Sequence, residues 1–88
     1  VEKEEAMIAV STPEQLLMEA RLRSGTPVAS LTLKHVRRTP DGPWWPLYQL
    51  NLYGAMRRTL NAQDGLFLEV LFDLYAPKGA IIRRYRWR

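Results

Sequence analysis

The chain has 88 residues, 47% of them hydrophobic, which fits one domain around one core and excludes a disordered chain. It contains no cysteine, which excludes disulfides, thiolate metal sites and cysteine nucleophiles and fits a cytoplasmic setting. No apolar run approaches the ~18 residues of a membrane span, and the opening VEKEE is acidic where a secretory leader would be basic. The net charge of +4 is unevenly spread: Glu2, Glu4, Glu5, Glu14 and Glu19 outnumber Lys3, Arg21 and Arg23 early on, while the last third is basic. A basic end attracts phosphate, or sits beside an acidic region of the same chain or of a second copy.

In chain order, residues 3–10 read as a short strand. STPEQLLMEARLRSG follows, with Thr12 as N-cap, Pro13 at the first helical position, Gln15 closing a capping box and Gly25 as C-cap. Leu16, Leu17 and Ala20 supply helical spacing, so a helix is predicted over 13–23. Residues 27–38 alternate, with Ala29, Leu31, Leu33 and His35 on one side and Ser30, Thr32, Lys34 and Arg38 on the other. Pro40-Asp41-Gly42 has turn chemistry, and 46–53 alternates again, with Tyr48, Leu50 and Leu52 against Gln49 and Asn51. A β-hairpin over 28–53 is the expectation.

That hairpin has two candidate registers. A plain turn sets Leu33 against Gln49, and a one-residue shift sets it against Leu50. The shift aligns apolar with apolar and asks for a bulge near Trp44–Trp45, bringing Arg37 or Arg38 near a tryptophan ring.

Residues 54–65 lie between glycines and place Ala55, Met56, Thr59 and Leu60 on one helical side, so a short helix is expected there. LFLEVLFDLY (66–75) then reads as a strand with Leu66, Leu68, Val70, Phe72 and Leu74 on one face. Its alternative is a helix, since Glu69 and Asp73 stand four apart and β-branched residues are few. Pro77-Lys78-Gly79 turns the chain into a last strand over 80–88, expected to pair with 66–75 and to set Asp73 against Arg84, Leu71 against Arg86, Glu69 against Arg88, and Tyr85 and Trp87 against Phe72 and Val70. The resulting expectation is a single α+β domain over 1–88, a two-layer ferredoxin-like βαββαβ sandwich with an extra C-terminal antiparallel strand. Its open sheet face would carry Ser30, Thr32, Lys34, Gln49, Asn51, Tyr53, Glu69, Leu71 and Asp73.

No motif gathers catalytic residues. His35 is the only histidine, the glycines are isolated, and the serines lack a nucleophile-elbow context. As strand residues, Glu69 and Asp73 would stand about 13 Å apart, too far to act as a carboxylate pair. No catalytic residue, metal or cofactor is therefore assigned. The lead expectation is a non-enzymatic interaction module that self-associates, as a homodimer, through a partly apolar surface of Trp44, Trp45, Phe67, Leu71, Tyr75 and Ile82. The alternative is nucleic-acid binding through Lys34, Arg38, Arg84, Arg86 and Arg88. Against that alternative stands local neutralisation of the arginines by Glu69 and Asp73. The Lys/Arg-Gly-aromatic run of an RNA-recognition sheet is also missing.

Overall fold

In the computed structural model, residues 10–54 and 57–85 are described. They form six strands and one helix: β1 (Val10–Ser11), β2 (Gln15–Arg21), β3 (Pro27–Arg37), β4 (Trp45–Leu52), β5 (Arg58–Ala62), α1 (Gly65–Tyr75) and β6 (Ile81–Arg84). All pair antiparallel in one sheet of order β5-β4-β3-β2-β6, and β1 adds to the far end of β3. A meander runs from β2 to β5, α1 crosses one face, and β6 returns to the edge beyond β2. The fold is thus a mostly antiparallel sheet with one helix, and the ferredoxin-like sandwich with two helices is overturned. The strand expected over 3–10 lies outside the described residues except for Val10.

Three elements differ in type from expectation. The stretch read as a helix over 13–23 is β2, hydrogen-bonded to β3 on one side and β6 on the other. Thr12 caps no helix: its Oγ1 accepts from the His35 backbone N–H at 2.9 Å, and its own N–H donates to the His35 carbonyl. Its hydroxyl thus stands in the β1–β3 ladder where a backbone carbonyl would, carrying the chain past Pro13 into β2. A register shift between Leu16 and Met18 inserts one extra residue, so Leu17 and Met18 are both buried in succession. That bulge breaks the period of two and imitates helical spacing. Gly25 closes the β2–β3 turn, with φ at +94° and its N–H donating to the Leu22 carbonyl.

The second expected helix, over 54–65, contains β5, which pairs with β4 from Tyr48↔Ala62 to Leu52↔Arg58. The expected strand over 66–75 is α1, so the helical alternative holds. Asp64 caps it, its Oδ1 accepting from the Leu66 N–H at 2.9 Å. Gly65 opens the helix against Tyr48, where a Cβ would lie 2.6 Å from the ring. Pro77–Gly79 does turn the chain, but β6 pairs with β2 and not with 66–75.

The β3–β4 hairpin is present with the expected faces. Its register sets Leu33 against Tyr48, Leu31 against Leu50 and Ala29 against Leu52, offset by two residues from the expected shifted pairing. Both registers align the same faces, because an offset of two preserves the side of every side chain. The ladder runs unbroken to Val36↔Trp45, so the bulge expected near Trp44–Trp45 is absent.

The core lies between α1 and one sheet face. Leu17, Met18, Ala20, Ala29, Leu31 and Leu50 meet Leu68 and Phe72 there, all at most 1% exposed. Leu33, Tyr48, Leu52, Leu60 and Ala62 pack around them. Burying the larger of these side chains contributes about 1.5–3 kcal/mol each, which is what holds the crossover helix down.

Candidate interaction surfaces

The first surface is the outside of α1. Its inner positions, Leu68 and Phe72, are buried, while Leu66, Phe67, Val70, Leu74 and Tyr75 are between 53% and 71% exposed. A helix this apolar on every side normally lies inside a larger body. Leu66, Val70 and Leu74 follow one another at intervals of four and form a single ridge with Phe67 beside it. The exposed side chains leave roughly 500 Å² of apolar surface, at the upper end for a monomer. Its only charges are Glu69 and Asp73, and both are drawn sideways by β6. Arg84 Nη1 donates to Glu69 Oε2, and its Nη2 reaches Asp73 Oδ1 at 3.5 Å. The expected Asp73–Arg84 pairing is therefore present, made from a helix and not across a hairpin.

The second surface is the sheet face opposite α1. Here side chains form rows across the strands. Thr59 donates to Asn51, Asn51 donates to Ser30, and Ser30 shares a hydrogen bond with the Tyr53 hydroxyl, at 3.0–3.3 Å. In the neighbouring row Gln49 donates to Asn61, and Thr32 donates to Glu14 Oε2 at 3.1 Å. Ser30 and Thr32 are nearly buried, so their hydroxyls need these partners. Glu19 ends the first row beside Arg83 of β6. The Tyr85 hydroxyl donates to it at 3.0 Å and holds its carboxyl below the usual value; partial burial opposes this, and Arg21 and Arg83 add to the lowering. Glu14, Glu19, Ser30, Thr32, Asn51 and Tyr53 of this group line a shallow cavity of about 370 Å³.

The far end of this face has another character. Val36 lies opposite Trp45 and Lys34 opposite Leu47, and a cavity of about 660 Å³ is lined by Val36, Arg38, Trp45, Pro46, Leu47 and Gln63. Trp44 is engaged, with the Arg37 guanidinium 4.6 Å from its ring centroid, which realises the expected cation–π contact.

The structure separates the residues proposed from sequence for nucleic-acid contact. Lys34 and Arg38 stand at the Trp45 end, Arg84 is on the helix side among carboxylates, and Arg86 and Arg88 lie outside the described residues. Glu69, Leu71 and Asp73 are on α1 and not on the open face, while Ser30, Thr32, Gln49 and Asn51 are where expected. Tyr85 faces Glu19 and not Phe72, and the pairings proposed for Trp87 lie outside the described residues. Among the proposed interface residues, Trp44, Trp45, Phe67, Tyr75 and Ile82 are exposed, and Leu71 packs half-buried beside the core. Sequence reasoning passed over Leu66, Val70 and Leu74, because a strand reading counts them as core. Reading 66–74 at a period of 3.6 places them on the outer face.

Among the described residues, no three potential metal ligands gather, and no helix is long and apolar enough to cross a membrane. No protein-family model, curated protein or solved structure matches the chain.

Proposed function

We propose that this protein is an interaction module that self-associates through the outer face of α1. The observation that carries the reading is the exposed ridge of Leu66, Val70 and Leu74, flanked by Phe67 and Tyr75 on a helix already anchored by Leu68 and Phe72. A second copy is the occupant that such a surface fits without new charges. About a two-fold axis near Val70, the ridge of one helix meets the groove beside the ridge of the other, at a crossing angle near −50° for interdigitated four-residue rows. Ile82 is also exposed on the helix side of β6, beyond the Arg84 cluster, and an interface of ~800 Å² per partner would draw on this neighbouring surface as well as the ridge. Arg84 has a defined part in this. Two like-charged helices brought together would oppose Glu69 and Asp73 of each copy, and Arg84 offsets that repulsion from within its own chain.

The test is sedimentation equilibrium across a concentration series. The wild type should show a monomer–dimer equilibrium, and Val70→Glu and Leu74→Glu should each shift it to monomer while circular dichroism stays unchanged. Trp45→Ala, on the other side of the sheet, should leave it alone. A wild type that stays monomeric at millimolar concentration, or a Val70→Glu protein that still dimerises, overturns the reading.

A further inference from the structure

We propose that the Trp45 end of the open sheet face binds a nucleobase with its attached phosphate, in the form that single-stranded nucleic acid presents. Four observations converge there. The β3–β4 register puts Val36, Trp45, Lys34 and Leu47 on one side of the sheet, opposite α1. Trp45 is 48% exposed, and Arg37 covers Trp44 in its place, so the Trp45 ring keeps a face for stacking. Among the described residues neither Lys34 nor Arg38 is in an ion pair. The cavity of about 660 Å³ is within the range that holds small ligands, and Gln63 in its wall offers both a donor and an acceptor to a base edge.

Electrostatics give the site a direction. Glu19 stands at the other end of the same face, where Tyr85 donates to it, Arg21 pairs with it at 3.4 Å and Arg83 lies opposite, so its charge is balanced locally. An anion is drawn to the end with Lys34, Arg37 and Arg38, which outnumber Asp41 of the hairpin loop and Glu14 beside Lys34. An exposed aromatic on a sheet, flanked by unpaired cations and open to solvent, suits a strand whose bases are already unstacked. A duplex keeps its bases stacked inside and offers Trp45 nothing to stack on.

The inference does not depend on self-association, since α1 is on the opposite side of the sheet. It is tested by fluorescence anisotropy with a labelled 12-mer of deoxythymidine from 50 to 300 mM salt, with a 12-mer duplex and uridine monophosphate as competitors. The single strand should bind at 50 mM salt and the duplex should compete less well. Competition by the mononucleotide at comparable concentration would assign the site to free nucleotides. Trp45→Ala should weaken binding about 5- to 100-fold and Trp45→Phe should restore most of it. Lys34→Ala and Arg38→Ala should each lower the salt slope by about 0.7. Arg83→Ala, at the other end of the face, should leave the slope unchanged. Absence of binding at 50 mM salt, equal binding of duplex and single strand, or affinity unchanged by Trp45→Ala overturns the proposal.

Discussion

The two exposed surfaces of this domain handle their polar groups in opposite ways. On the outside of α1 the only charges, Glu69 and Asp73, are drawn to Arg84, and what is left facing outward is hydrocarbon. On the open sheet face the polar groups stay outward and satisfy one another, from Thr59 through Asn51 and Ser30 to Tyr53, while Glu19 is paired with Arg21 and Lys34 and Arg38 are in no ion pair among the described residues. The first arrangement leaves a surface whose free energy falls when water is removed. The second is already solvated by its own side chains, so it gains little from a flat apolar partner and can discriminate only at its Trp45 end. The difference follows from the pleat: in the middle of β3, β4 and β5 the helix side holds Ala29, Leu31, Leu50 and Leu60, and the other side holds Ser30, Thr32, Gln49, Asn51, Thr59 and Asn61.

The largest expected effect comes from removing what holds the surfaces apart. Phe72 is fully buried between α1 and the sheet, and Phe72→Ala should cost about 3–5 kcal/mol. Against the 5–15 kcal/mol typical of a whole domain, that is about a fifth of the stability or more. Urea denaturation should show the midpoint falling steeply. If α1 then loosens, the outer ridge loses its geometry and the monomer–dimer equilibrium moves to monomer as well. A loss below 1 kcal/mol would mean that the helix is held by something other than this core.

The next effect is local to the start of the helix. Gly65 is buried, and a Cβ there would come within 2.6–2.9 Å of three atoms of the Tyr48 ring. That ring is part of the packed layer on the helix face and is not a free chain end. Gly65→Ala should therefore destabilise by about 1–3 kcal/mol from overpacking, although alanine is the better helix former by about 1 kcal/mol. Tyr48→Leu combined with Gly65→Ala should recover part of the loss. A single variant as stable as wild type would show that the Tyr48 ring gives way freely.

These same elements show what the sequence made legible. The faces of β3 and β4 were readable because strict alternation survives an error of two in register, and Leu33 has an apolar partner either way. The hydrogen-bonding residues of the open face, and the place of Lys34 and Arg38 on it, were readable for the same reason. β2 misled because its bulge puts Leu17 and Met18 in succession into the core, and Thr12, Pro13 and Gly25 then supplied helix-end chemistry that the chain uses for a ladder and a turn. α1 misled because a segment apolar on every side fits a period of two as well as 3.6. The deciding signals were its length, its shortage of β-branched residues and Asp64 just before it. The outer ridge of α1 was hidden by that one error, while the sequence alone did bring Arg84 and Asp73 together.

The smallest expected effect tests the Glu19 end of the open face. The Glu19 carboxyl is held below its usual value first by the Tyr85 hydroxyl and then by Arg21 and Arg83. A carboxyl whose folded value is depressed contributes stability that is present above its unfolded value and is lost as the pH falls through the folded one. In Tyr85→Phe the largest of these causes is gone, so the Glu19 titration should move back up, and stability should depend less on pH on the acid side of the carboxylate range. Carbon-detected NMR titration of the Glu19 carboxyl reads this directly. Because Glu19 is partly open to solvent and the arginines remain, the change in stability near neutral pH should be small. A titration that does not move in Tyr85→Phe would assign the lowering to Arg21 and Arg83 alone. The link between Glu19 and the chain after β6 would then rest on charge and not on the Tyr85 hydrogen bond.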